Sequence, residues 1–160
     1  MTDPLDPEGV SFVPVSRSLV TVRVIAILLW TLVPALATAV VAVLVTPWVW
    51  ISTGVFVLLM AWLLWLVPRQ VRAIGFAETE EEFLIRRGIM FRSLTVVPYG
   101  RIQYVDVSEG PVARRFAIAS ITLHTASAET SASLHGLPAS EAARLRDLLA
   151  ERGSAELAGL

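Results

Sequence analysis

Apolar positions follow three different patterns along this chain of 160 residues. Between Arg23 and Arg69 they are interrupted by no Asp, Glu, Lys, Arg or His. Further on they mostly alternate with polar positions, and near the end they recur at helical spacing. The uncharged run is more than twice the roughly 20 residues that one membrane-spanning helix needs. It therefore predicts two helices, over 24–45 and 48–67, with a break at Thr46-Pro47. Pro47 cannot continue the first helix without loss of a backbone hydrogen bond. Trp48 and Trp50 at the break suit the headgroup level, and Trp30 and Trp65 mark the opposite interface. Pro34 inside the first span predicts a kink, with neighbouring helices or threonines meeting the freed carbonyl.

Beyond the run the period falls to two. In Glu82-Phe83-Leu84-Ile85-Arg86, Phe83 and Ile85 share one side. Gly88 marks a hairpin turn, residues 89–97 resume the alternation as far as Pro98, and Tyr99-Gly100 makes a second turn. Over 101–108, Ile102 starts in one phase while Val105 and Val107 follow the other. A bulge near Gln103-Tyr104 restores the inward direction. Ser120-Ile121-Thr122-Leu123-His124 alternates cleanly, and 129–137 reads as a weaker last strand. With another weak strand around 71–77, this predicts about five or six short antiparallel strands. Ala142, Leu145, Leu148 and Leu149 then form one helical stripe. Ser140 is placed as the N-cap, with Glu141 near the positive helix end. Gly153 is placed as the stop. A helix over about 140–152 needs a surface to cover, and the sheet supplies one.

The expected organisation is a flexible N-terminal segment (1–18), a two-helix hairpin (19–67), a mainly β domain (68–153) and a flexible tail (154–160). The first segment is acidic and contains Pro4, Pro7 and Pro14. Ala35-Leu36-Ala37 resembles a signal-peptidase site. The acidic start and the apolar run that continues to Val45 argue against cleavage there. Arg17 and Arg23 precede the hairpin, Arg69 and Arg72 follow it, and the connecting turn is uncharged. The positive-inside rule therefore places both termini in the cytoplasm.

Composition narrows the function. At 55% hydrophobic and 17% charged, the chain is unlike an ordinary soluble domain. A net charge of −1 supplies no basic field to attract nucleic acid. The absence of Cys excludes disulfides, thiolate metal sites and Cys nucleophiles. No G-x-S-x-G and no phosphate-cradling glycine loop occurs. His124 and His135 lie in separate strands that pairing could bring together, with Glu129 as a weak third ligand. They read as partly exposed strand histidines rather than a metal site. Glu78, Glu80, Glu81 and Glu82 read as a solvated, aggregation-resistant edge rather than an acid–base pair. No catalysis, cofactor or small-molecule substrate is expected. The binding candidates are arginines: Arg86, Arg87, Arg92 and Arg101 flank two turns, and Arg114 and Arg115 precede Phe116. Such groups can meet anionic headgroups or pair with surface carboxylates.

Several segments resemble a known family. Arg87-Gly88, then Val97-Pro98-Tyr99-Gly100-Arg101-Ile102-Gln103-Tyr104-Val105, then Gly110-Pro111 with Arg115-Phe116, are similar to the bacterial pleckstrin-homology domain family of YdbS-like membrane proteins. Leu137, Glu141-Ala142 and the terminal helix match its finish, and the two preceding helices match its layout. In one place the chain departs from the pattern. Phe116-Ala117-Ile118-Ala119 stands where the family often has a Leu-Gly-Leu-like element, which leaves the local turn open. The resemblance implies a membrane α-helical hairpin followed by a mainly β pleckstrin-homology-like domain with a C-terminal helix, in the bacterial cytoplasmic membrane. It links relatives to envelope stress or resistance to membrane-active peptides and supplies no catalytic residues. The expected function is a non-catalytic scaffold or complex subunit at the cytoplasmic face. Its partners are the lipid bilayer and another membrane protein or further copies of the chain. The alternative is direct binding of anionic phospholipid headgroups.

Overall fold

A computed structural model describes residues 7, 9–125 and 131–157. The chain divides into two compact units, Val20–Arg69 and the flanking stretches Met1–Leu19 with Gln70–Leu160.

Most of the first unit is two helices, α1 (Ser18–Leu44) and α2 (Trp50–Arg72), joined through a 3-10 turn at Pro47–Val49. The break falls where Pro47 predicts it. Both helices extend beyond the expected spans at their outer ends, α1 from Ser18 and α2 through Pro68 to Arg72. At about 1.5 Å per residue, each is long enough to cross the roughly 30 Å of a hydrocarbon core. Only 11% of the most apolar window of the first is buried, and none of that of the second. A core helix of a soluble protein would hide that surface. The threonines near Pro34 bond backbone carbonyls other than that of Trp30, the one Pro34 frees. Thr31 Oγ1 donates to Ile27 O at 2.7 Å and Thr38 Oγ1 to Pro34 O at 3.0 Å. Thr53 Oγ1 on α2 then donates to Thr38 Oγ1 at 3.0 Å, a polar link between the helices.

The second unit holds two antiparallel sheets. The four-stranded sheet has the order β1 (Val13–Pro14), β2 (Gly75–Glu78), β3 (Glu82–Arg87), β4 (Ser93–Pro98). The three-stranded sheet has the order β5 (Ile102–Ser108), β6 (Ile118–Thr125), β7 (Ala132–Pro138). A short helix, α3 (Pro111–Arg115), lies between β5 and β6, and α4 (Ala139–Leu157) ends the described chain. Phe83, Ile85, Ile121, Leu123, Leu134 and Leu137 form the core with Tyr99, and Ala142, Leu145 and Leu149 complete it from α4. The predicted stripe of α4 is thus the face that closes the fold. The rings of Phe76 and Phe83 stack across β2 and β3, 5.9 Å apart.

The structure corrects the expected boundaries in several places. The N-terminal segment is not loose throughout. Val13 pairs with Phe76 and Pro14 with Gly75, Val15 is buried, and Ser16 N donates to Gly136 O at 2.8 Å. Burial of Val15 and the backbone hydrogen bonds of the strap thus offset the entropy of ordering it. At the other end α4 passes through Gly153 to Leu157, so Gly153 is no stop. A Cβ there would stand 3.3 Å from the Tyr99 carbonyl, and the glycine instead lets α4 approach the turn at Tyr99–Arg101. The bulge in β5 appears as a register shift between Ile102 and Tyr104. It does not carry the whole strand inward, because Val107 remains 38% exposed. The helix α3 has no counterpart in the period analysis. It is too short for a periodic signal, although Pro111 at its first turn is a conventional start. Ala117, which follows it, has φ +51°, the left-handed conformation that favours glycine. The chain therefore makes a glycine-type turn here with alanine.

Candidate functional site

The six candidate arginines do not gather into one site. Arg86 and Arg87 end β3, and the Arg86 guanidinium lies over the Phe12 ring at 4.3 Å. Arg87 Nη2 donates to the Ser133 carbonyl at 2.8 Å and so ties β3 to β7. Arg92 follows the turn beyond β3 and is exposed. Arg101 lies at the opposite end of β4 from Arg92, in the Tyr99–Arg101 turn. Arg114, on α3, stands 4.0 Å from Glu109, with Arg115 exposed beside it.

The histidines are separated as well. His135 faces Ser120 across the β6–β7 ladder, with Nδ1 2.9 Å from Ser120 Oγ. His124 lies four residues along β6, stacked on Tyr104 at 4.3 Å and 3.1 Å from Asp106 Oδ2. The cross-strand approach that pairing could allow does not form, because the register pairs other residues. Glu129 lies outside the described residues. Among those described, no group of three His, Asp or Glu is placed to hold a metal ion.

The acidic run divides in two. Glu80 and Glu81 are exposed, but Glu78 is joined to Arg144 on α4. Arg144 also donates to Glu141 at 2.6 Å, and this hydrogen bond holds the Glu141 carboxyl below its ordinary pKa and raises that of the guanidinium. Next to this clamp, Arg152 Nη1 donates to the Thr79 carbonyl at 2.7 Å, and Tyr99 Oη donates to the same carbonyl at 3.1 Å. Burial pushes the Tyr99 hydroxyl pKa up. The glutamate-rich turn is thus a docking point for α4 more than a free solvated edge.

Two features have no place in the period analysis. One is a groove of about 370 Å³ between β5 and α4. Ile102 and Leu149 form its apolar floor. Gln103, Tyr104, Arg146 and Ala150 line its sides. β5 pairs with β6 and lies at the outside of its sheet, so one edge of β5 faces away from the ladder. Such a feature depends on how strand and helix meet, which no local period encodes. The other is the turn over residues 88–92. Ile89 is 42% exposed, and Met90 and Phe91 are each 87% exposed. The expected strand from residue 89 begins only at Ser93. The sequence signal is that Ile89, Met90 and Phe91 are consecutive, which breaks the alternation a strand requires.

The bacterial PH domain family matches residues 11–153 of this chain. The chain belongs to that family. Its fold is accordingly a PH-like domain, mostly β with a C-terminal helix, preceded by two apolar helices. The UPF0699 transmembrane protein YdbS of Bacillus subtilis (strain 168) is 38% identical over 71 residues. That similarity covers 42% of this chain and 42% of YdbS, so well under half of the relative's length is matched. No solved structure matches. Neither description names an enzyme. A PH-like domain carried with two apolar helices makes the protein a membrane-associated module.

Proposed function

We propose that the chain is a non-catalytic subunit of a membrane complex, and that its PH-like domain takes an extended segment of a partner into the groove between β5 and α4. The observation that carries this reading is the outward edge of β5 beside an apolar floor. Strand addition at such an edge draws affinity from main-chain hydrogen bonds, and adjoining pockets select alternate side chains. The bulge at Gln103 and the wall formed by Arg146 and Ala150 give the groove its specific shape. The partner is another membrane protein or a second copy of this chain. YdbS is named a transmembrane protein, which supports two passes through the membrane here. Arg17, Arg23, Arg69 and Arg72 at the outer ends of the helices support cytoplasmic termini. A role in envelope stress or in resistance to membrane-active peptides is the physiological setting this reading fits. The scattered arginines are a weaker basis for a headgroup site.

The test is photo-crosslinking in intact membranes. A crosslinking residue at position 103 should yield one dominant protein adduct, and the same residue at position 80, on the glutamate-rich turn, should not. Ala150→Trp, which fills the groove from an exposed position on α4, should remove the adduct. Equal crosslinking from both positions, or an adduct indifferent to Ala150→Trp, would sink the proposal.

A further inference from the structure

Ile89, Met90 and Phe91 stand at the tip of the β3–β4 hairpin, three consecutive large apolar side chains that are exposed together. Hairpin tips are ordinarily built from Gly, Asn, Asp and Ser, which adopt the turn conformations or bond their own backbone. Here the turn is fixed by Gly88 at φ +96°, where an added Cβ would overlap the Phe91 carbonyl. The apolar residues are therefore presented by a turn whose conformation requires glycine at position 88. The β3–β4 register ends with Arg87 opposite Ser93, and the β2–β3 register sets Arg86 opposite Gly75. The tip thus lies at the end of the sheet where β2 begins. Only Ala73 and Ile74 separate β2 from the last residue of α2. At the same end Pro14 pairs with Gly75, four residues before α1 starts at Ser18. Both connections between the β unit and the apolar helices leave from the end that carries the tip.

We infer that residues 89–91 insert into the headgroup–acyl boundary of the bilayer that the helical hairpin crosses. This second anchor fixes the orientation of the PH-like domain on the membrane. It involves a surface distinct from the groove and goes beyond the partner-binding reading. The occupant is the lipid interface because of the residues next to the tip in sequence. Arg86, Arg87 and Arg92 flank it, and no acidic residue occurs between Glu82 and Asp106. Arg87 is held by a neutral carbonyl, which leaves its charge to the local field. Apolar residues with flanking cations are the composition that lies in a membrane interface. The tether adds high local concentration, so a small apolar contact suffices.

The chain has no Cys, so a single one can be introduced without other changes. Ser93→Cys, exposed and just past the tip, carries an environment-sensitive fluorophore in the full-length protein in lipid nanodiscs. Glu80→Cys, at the other end of β3, is the control. The label at 93 should emit to the blue of the label at 80 and be quenched by nitroxide-bearing lipids. Quenching should occur in neutral phosphatidylcholine and rise when phosphatidylglycerol is added. Met90→Ser with Phe91→Ser should reduce it about tenfold. Equal water exposure at both labels would overturn the inference. So would shielding at 93 without lipid quenching, which would show that a second copy of the chain covers the tip. Quenching confined to anionic lipid and untouched by the serine substitutions would overturn it as well, because the arginines alone would then be the contact.

Discussion

The two turns that end strand β3 are built on opposite principles. At one end, residues 79–81 are polar: Arg152 of α4 and Tyr99 both donate to the Thr79 carbonyl, and Arg144 of α4 holds the neighbouring Glu78. The turn also closes on itself, with Thr79 Oγ1 donating to Glu82 O at 2.9 Å and accepting from Glu82 N at 3.1 Å. At the other end, residues 88–92 are mainly apolar, exposed, and shaped by one glycine. The first turn spends its side chains on holding the fold together. The second contributes little to the fold beyond its backbone shape, so its side chains are available for something outside it. Exposure of apolar groups without a structural role is what distinguishes a contact surface from a core.

The largest effect should come from the one structural requirement of the apolar turn. Gly88→Val places a β-branched residue at a positive φ and drives its Cβ into the Phe91 carbonyl. We expect a destabilisation of about 2 kcal/mol or more, equivalent to roughly thirtyfold faster amide exchange in β3. All five tryptophans belong to the helical hairpin, so their fluorescence does not report on this unit. Hydrogen exchange over residues 83–86, read by mass spectrometry, does. Unchanged exchange would mean that the turn is not fixed as described.

The polar turn should respond to acid. The folded-state pKa of Glu141 is depressed, first by its hydrogen bond from Arg144. Its contribution is therefore complete above the ordinary glutamate value of 4.5 and is lost as pH falls through the lower folded value. Arg144→Ala should cost about 1 kcal/mol near neutrality, since the cluster is partly solvated and screened. It should also flatten the acid limb, because Glu141 then has no guanidinium to lose. An acid limb as steep in the variant as in the parent would mean that other carboxylates govern it.

Much of this was legible in the chain. The uncharged run fixed two helices and Pro47 fixed their break, because both signals are local and strong. The α4 stripe was legible for the same reason: Ala142, Leu145 and Leu149 all prove buried. What escaped depends on distant partners. Pairing of Val13 and Pro14 with β2 needs residues more than sixty positions away. The role of Gly153 depends on the Tyr99 carbonyl, which lies across the fold. Arg87 looked like a surface cation until its Ser133 partner was visible. Charge and a place beside a turn or connection mark the candidate arginines, and neither reveals which guanidinium is already engaged.

The smallest expected effect is the most discriminating. Met90→Ser and Phe91→Ser, singly or together, should change the stability of the β unit by no more than about 0.5 kcal/mol, as for other exposed positions. Both side chains are 87% exposed, so little burial is lost. Hydrogen exchange in β3 should match the parent protein in detergent, where no bilayer competes. A loss of 1 kcal/mol or more would show that the tip packs against the fold, and the contrast between the two turns would disappear. With stability unchanged, any defect these substitutions cause in membranes must arise from a contact outside the fold. That outcome separates a binding surface from a structural one without requiring the identity of what it binds.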